Sequence, residues 1–389
     1  MDAAVGKIAL VVQSHTLSLH VTFYVRLKLH LMKTPSYLIL LISSLSIVGL
    51  LGCDESNKTV NKPDAMGELA DMVVFTDQLS WNELGDEIDS IFTQSIPGMA
   101  GSNPFFKCRH AHETIFDGYL RNHFNIFVFL RKDRWEMVEA AFGPSLRATI
   151  VEKFPTNGVS VFTLHDVWAS PQVVHFVLTQ DGDQLKKNLR AKKSSYLVQA
   201  LEAEHVSTIT SFYDAKILSD SAHGDLFANE CFSLKVPGLF KTAIKSGVVN
   251  GFRRQMGAKY LGLNYFSEPY TGLEQLTQSA IIARRNNVLG NHVKGADYNG
   301  DTAQMSTDTV NVEVFRRIYD RGDLTIIETR GWWEFTNPDF KAGPFINHTI
   351  VCNKTKTLVS LDGFVFAPGE DKNKLMRQLE MILYTFREK

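Results

Sequence analysis

Apolar positions along this chain alternate between short continuous runs and helix-spaced stripes. Met72-Val73-Val74-Phe75 is a run of strand length, and residues 83–95 follow with Leu84, Ile88, Ile91 and Phe92 at helical spacing. The stretch "SIPGMAGSNP" breaks the pattern, and residues 105–112 and 125–130 read as further strands. A helix is expected over 135–148, then two alternating runs, 159–164 and 172–178, with a bend at Ala169-Ser170-Pro171-Gln172. Residues 183–212 predict a long helix with Leu185, Leu189, Tyr196, Leu201 and Val206 on its apolar side. Its Lys186, Arg190 and Lys193 share another face, which reads as a solvated surface in preference to a contact with anionic lipid.

The second half restarts the pattern. Residues 232–236 and 259–266 read as strands, 271–293 as a helix, and 295–307 as a polar loop. Residues 310–319 and 324–333 predict a hairpin turning at Asp320-Arg321-Gly322-Asp323. Residues 344–352 and 357–366 predict another, and 372–386 a closing amphipathic helix. Helices mixed with hairpins argue an α+β class: two α+β halves, 69–220 and 221–389, with mainly antiparallel sheets covered by helices.

Upstream of this body the pattern changes character. From Met32 a short positive segment precedes an almost unbroken apolar stretch, 38–51, then Gly52 and Cys53. That is a signal peptide over 32–52, too short for a comfortable membrane span. Leu50-Leu51-Gly52-Cys53 resembles a bacterial lipobox, which makes Cys53 the expected lipid attachment point. Two or more acyl chains give stable anchoring, where one binds only reversibly. Residues 53–68 then read as the lipidated cysteine and a flexible tether. Residues 1–31 precede a complete signal peptide and read as a spurious upstream extension, with translation starting at Met32.

Composition adds limits. Of 389 residues 44% are hydrophobic and 21% charged, ordinary for a globular body. Lysine and arginine number 41 against 42 acids, so no bulk charge attracts nucleic acid. The cysteines are Cys53, Cys108, Cys231 and Cys352, too few for a disulfide scaffold. With Cys53 lipidated, at least one of the other three is unpaired within the monomer.

Arg330-Gly331-Trp332-Trp333-Glu334, Ala342-Gly343-Pro344-Phe345, Gly363-Phe364-Val365-Phe366-Ala367-Pro368 and Lys374-Leu375-Met376-Arg377-Gln378-Leu379-Glu380 resemble an uncharacterised family of Bacteroidetes lipoproteins, domain of unknown function 4837. "MVVFTDQLSWN" and "IPGM" extend the likeness to about residue 67. The resemblance implies a Bacteroidetes-type envelope and brings no catalytic residues.

Candidate chemistry is sparse. Cys108, His110 and His112 alternate on a strand, so they share a face and are competent zinc ligands lacking a fourth partner. Surface histidines on a strand edge are the simpler reading, and no cofactor is expected. No nucleophile elbow, His-Glu-x-x-His pair, phosphate loop or dinucleotide fingerprint occurs in the mature chain. Glu328 and Arg330 lie two apart on a strand and are expected to form a surface salt bridge of little worth. Arg330, Trp332, Trp333, Glu334 and Asp339 form the richest local stretch. Adjacent tryptophans on a strand face opposite sides, so one exposed ring beside charged groups is a candidate binding surface. Arg321-Gly322-Asp323 is explained by its turn and is assigned no function.

The expected function is a lipid-anchored cell-envelope protein, facing the periplasm or the cell surface from the outer membrane. It is read as a non-catalytic binding or structural protein whose partner is an envelope protein or glycan. The alternative is an envelope hydrolase with a site between the two halves. Converging Asp, Glu or His side chains in a deep cleft would favour the hydrolase, and a flat exposed aromatic patch would favour binding.

Overall fold

A computed structural model describes residues 62–214, 227–336 and 339–389. The chain divides into two units at Thr59 and Val60, and all described residues belong to the second, Val60–Lys389. Cys53, the signal peptide, the upstream extension and the expected boundary at 220–221 lie outside the described residues.

Strands β1 (Asp71–Phe75), β3 (Asn125–Arg131) and β5 (Val173–Thr179) are buried at every position, as strands covered on both faces must be. With β2 (Lys107–Ala111) and β4 (Val159–His165) they form a five-stranded sheet in the order β2-β1-β3-β5-β4. Only the β4–β5 hairpin is antiparallel here; β1 runs parallel to β2 and β3, and β3 to β5. The antiparallel expectation therefore does not extend to this sheet. Its parallel strands need crossovers, which the helical segments between them supply.

Helix α1 (Gln78–Phe92) starts where Asp77 accepts a hydrogen bond from Ser80 N. Helix α2 (Gly118–Arg121) is a single turn. The helix expected over 135–148 is instead α3 (Trp135–Val138) and α4 (Pro144–Lys153), because Gly143-Pro144 ends one segment and starts the next. Helix α5 (Gly182–Asp214) is the long one expected. Its basic stripe meets α1: Lys186 and Arg190 pair with Glu87, and Lys193 bonds Ser90. Residues of the expected tether also take fixed places, since Ala65 N bonds Ser170 O and Met66 N bonds Asn122 O.

The second half opens with β6 (Phe232–Ser233), β7 (Lys241–Lys245), β8 (Val249–Met256) and β9 (Lys259–Pro269). Helix α6 (Gln278–His292) follows, then β10 (Lys294–Tyr298), β11 (Asp301–Asp308), β12 (Phe315–Arg321) and β13 (Leu324–Phe335). Next come β14 (Ala342–Cys352), β15 (Thr357–Phe366), α7 (Asn373–Tyr384) and β16 (Arg387–Glu388), the last pairing with β6. The polar loop expected over 295–307 is the β10–β11 hairpin. Asn299 and Gly300 both adopt positive φ at its tip, as a tight hairpin turn requires.

These strands form a curled antiparallel sheet in the order β10-β11-β13-β14-β15-β9-β8-β7, with β12 sharing the edge of β13. One face packs on α6 through Trp333, Phe345, Phe364 and Leu289. The other meets α7, and a continuous apolar cluster runs from it through α7, α5 and α1 to the five-stranded sheet. Helices α1, α5 and α7 are thus the middle layer between two sheets. Cys231 and Cys352 are joined by a disulfide with Cα atoms 6.4 Å apart, leaving Cys108 as the free thiol among the described residues. No helix among them is long and apolar enough to cross a membrane.

Candidate functional site

Strand pairing sets the first part of the site. Arg317 on β12 lies opposite Glu328 on β13, which lies opposite His348 on β14, so the three share the face turned to the middle layer. Arg330, two residues on, shares that face. Helix α7 adds Arg377 and Glu380, three apart and so neighbours on one side. Helix α5 adds Glu204 and His205.

The charged members alternate in sign along one line. Arg317 Nη2 lies 2.8 Å from Glu328 Oε2, and Arg330 bridges Glu328 Oε1 and Glu380 Oε1 at 2.6 Å each. Arg377 continues to Glu380 Oε2 at 2.5 Å and to Glu204 Oε2 at 3.1 Å. Ala70 N donates to Glu204 Oε1, and Arg377 Nη2 donates to Phe105 O. The Glu328–Arg330 pair expected at the surface is therefore buried, with Arg330 4% exposed, because α5 and α7 cover this sheet face. Breaking such a pair leaves an uncompensated buried charge and costs about 3–5 kcal/mol.

The line flanks a cavity of about 170 Å³ between α5, α7 and β12–β14. Leu201, Ile346, Tyr319 and Tyr384 supply its apolar wall, and Arg321 lines it beside the charged row. Four nitrogens of its lining residues are buried without a hydrogen-bond partner: His205 Nε2, both ring nitrogens of His348, and Arg321 Nη1. His348 Nε2 stops 3.5 Å from Glu328 and His205 Nε2 stops 3.8 Å from Glu380, beyond ordinary hydrogen-bond length. Arg321 donates through Nη2 to Phe386 O and sits 4.7 Å over the Tyr384 ring.

Burial and charge set the protonation states. Burial alone would raise Glu328, but Arg330, with His348 and Arg317, holds it well below the usual carboxylate range. Burial likewise opposes the shift of Glu380, which Arg330 and Arg377 also hold well below the usual carboxylate range. Glu204 goes the other way: burial raises it to about 7 against the pull of Arg377 and the Ala70 N–H. Burial lowers His205 and His348 despite the adjoining carboxylates, so both imidazoles stay neutral near pH 7. Burial also lowers Arg321.

The metal candidates do share a side, the one facing α1, but each has other employment. His110 stacks on Trp81 with centroids 3.9 Å apart, and His112 Nδ1 pairs with Thr114 Oγ1. The Cys108 thiol is raised by burial and then by Asp89, which contacts it. No three His, Cys, Asp or Glu side chains converge to hold a metal ion among the described residues.

In the aromatic stretch Trp333 is fully buried and donates to Val365 O, while Trp332 is half-buried on the opposite face. Glu334 is exposed, and Asp339 accepts from Ala296 N and pairs with Lys341. With Arg330 and Trp333 in the interior, this stretch does not gather into one surface patch.

Sequence reasoning missed Glu204, His205, Arg317, Arg321, His348, Arg377 and Glu380. One signal was present. β14 is apolar on both faces except around Asn347-His348-Thr349, and polar groups inside a strand covered on both sides need partners.

Residues 221–385 match a family profile described as a domain of unknown function, DUF4837, and residues 65–212 match a second, DUF8532. The cavity lies where the two matches meet: Glu204 and His205 come from the 65–212 match, and the four arginines, Glu328, His348 and Glu380 from the 221–385 match. No curated protein matches the chain. Among solved structures, cyanobacterial PsbP from Synechocystis is similar at 12% identity, covering 42% of this chain and 89% of its own, with a TM-score of 0.29. The Ran-binding protein Mog1p of Saccharomyces cerevisiae is similar at 9% identity, covering 41% and 92%, with a TM-score of 0.27.

Proposed function

We propose that this chain is a lipid-anchored protein of a Bacteroidetes-type cell envelope whose body binds a small ligand in the cavity between α5, α7 and β12–β14. One observation carries the binding reading: around that cavity His205 Nε2, both ring nitrogens of His348 and Arg321 Nη1 have no hydrogen-bond partner, while the carboxylates beside them are ion-paired to arginines. Buried polar atoms without partners cost about 1–3 kcal/mol each, so a ligand that meets them gains what the fold forgoes. The address rests on the signal peptide and Cys53, and the Cys231–Cys352 disulfide supports it, since such bonds persist in oxidising compartments.

Binding without chemistry fits the carboxylates best. A general base works near the ambient pH, but Glu328 and Glu380 are held ionised by arginines and are weak bases. No serine, threonine or cysteine lines the cavity as a nucleophile. A second reading, the hydrolase, draws on the two imidazole–carboxylate pairs, which meet the criterion of converging Glu and His side chains. In that reading neutral His348 takes a proton from a water.

Full-length protein purified in detergent from its own envelope tests the binding reading by native mass spectrometry. Wild type is expected to carry small molecules that a Leu201→Trp variant, whose indole fills the cavity, does not. Equal retention by both would end the proposal. Turnover of a retained compound, abolished by His348→Gln, would favour the hydrolase.

A further inference from the structure

Four guanidinium groups, of Arg317, Arg321, Arg330 and Arg377, surround three carboxylates, of Glu204, Glu328 and Glu380. The surplus cation is identifiable. Arg317, Arg330 and Arg377 each bind at least one of the three carboxylates, whereas Arg321 forms no ion pair with any acid among the described residues. Its Nη1 is buried and unpartnered. Asp320 and Glu202 also line the cavity, but both are exposed, where water screens them.

Arg321 is half-buried with its Nη1 atom out of contact with water and without a counter-charge, and a carboxylate matches the planar guanidinium fork through two parallel hydrogen bonds. Size narrows the choice. A cavity of about 150 Å³ holds one benzene molecule, and this one measures about 170 Å³. That leaves room for one ring or short aliphatic body with a single small charged group. Most of the remaining lining is apolar and aromatic: Leu201, Ile346, and the two tyrosines, with Arg321 over the Tyr384 ring and Arg317 over the Tyr319 ring. A single guanidinium without an acid partner favours a monoanion over a dianionic phosphate.

We infer that the cavity takes a small monocarboxylate with an apolar or aromatic body, its carboxylate on Arg321 and its body against Leu201, Ile346 and the two tyrosines. This rests on the ligand-binding reading of the same cavity. The unpartnered nitrogens of His348 give a hydroxyl on that body a further place to bond, but the carboxylate is what the surplus charge selects.

Calorimetric titration of the full-length protein in detergent with benzoate, and with benzyl alcohol as its uncharged counterpart, tests it. Wild type is expected to bind benzoate at least tenfold more tightly than benzyl alcohol. Arg321→Gln should weaken benzoate roughly 10- to 100-fold and leave benzyl alcohol unchanged, as expected for loss of a charge-assisted pair. Arg321→Lys, which keeps the charge and loses the fork, should fall between them. Thermal melts confirm that each variant is folded.

Benzyl alcohol binding as well as benzoate, with both lost in Leu201→Trp, would overturn the carboxylate inference and leave the cavity reading standing. Benzoate binding that survives Leu201→Trp would place the carboxylate elsewhere and overturn both. Absence of benzoate binding to folded wild type, with shorter aliphatic carboxylates also silent, would overturn the inference by itself.

Discussion

At the residue scale the two adjacent tryptophans make opposite contributions. Trp333 has no exposed surface, packs edge-on against Phe335 and Phe364, and donates to Val365 O. Trp333→Ala is expected to cost about 3–5 kcal/mol in denaturant melts, because the transfer and cavity terms add. Trp332→Ala should cost less than about 2 kcal/mol, and equal losses would show that both rings are core. Glu204 predicts a pH signature. It holds its proton more tightly folded, at about 7, than at its ordinary 4.5, so folding takes up a proton between those values and stability falls as pH rises through them. Glu328 and Glu380 shift the other way, and their contribution is lost only as pH falls below 4.5. Glu204→Gln removes the first effect alone, so its stability relative to wild type should climb between pH 4.5 and 7. A flat difference across that window would count against a raised Glu204. Alternation along β13 was readable and separated Trp332 from Trp333. The burial of Arg330 was not, because it depends on α5 and α7 crossing that face, and a local pattern carries no such information.

At the scale of elements, the hairpins β12–β13 and β14–β15 and helices α5 and α7 were legible because each repeats its period over ten or more residues. The β10–β11 hairpin was not. β10 is polar and exposed, and β11 turns Ala303, Met305 and Thr307 inward but has only two apolar side chains to mark the alternation, although Asn299-Gly300 is a strong turn signal in its own right. Parallel pairing of β1, β2 and β3 was hidden too, since pairing direction depends on the length and route of the connections. The pairing of Cys231 with Cys352 could not be chosen among three candidate thiols from spacing. That bond ties the segment before β6 to the end of β14. Replacing both cysteines by serine is expected to lower unfolding stability by roughly 2–5 kcal/mol, read by urea melts without reductant. Matching midpoints would mean the bond adds nothing to the folded state.

For the whole molecule, the two matched families meet in one hydrophobic cluster. It contains Met72, Phe127 and Leu189 from the 65–212 match and Leu263, Ile346 and Leu379 from the 221–385 match. Ion pairs cross the same boundary: Arg377 reaches Glu204, and Lys107 reaches Asp371. Gly98 adds backbone contact, since a Cβ there would stand 2.7 Å from the Arg330 carbonyl carbon, at a φ of +73° that other residues rarely adopt. Separating the halves would strip α5 and α7 of apolar cover and leave Arg377 and Glu204 buried without each other. Chains ending at 214 and beginning at 227 are therefore expected to be insoluble or molten when expressed singly, and to recover a cooperative melt when expressed together. Two independent, sharp melts from the separate pieces would show that the shared core is dispensable.

The disulfide also governs how far the chain can be drawn out. Cys231 and Cys352 stand 121 residues apart, so the oxidised bond closes most of the large sheet into a covalent ring. A pull applied from the two ends travels across that bond and bypasses everything between. At about 3.4 Å per residue, the fully stretched oxidised chain is shorter than the reduced one by roughly 400 Å. Under load the five-stranded sheet is paid out like line from a reel, while the strands within the ring carry no tension. Reduction turns that sheltered segment into slack.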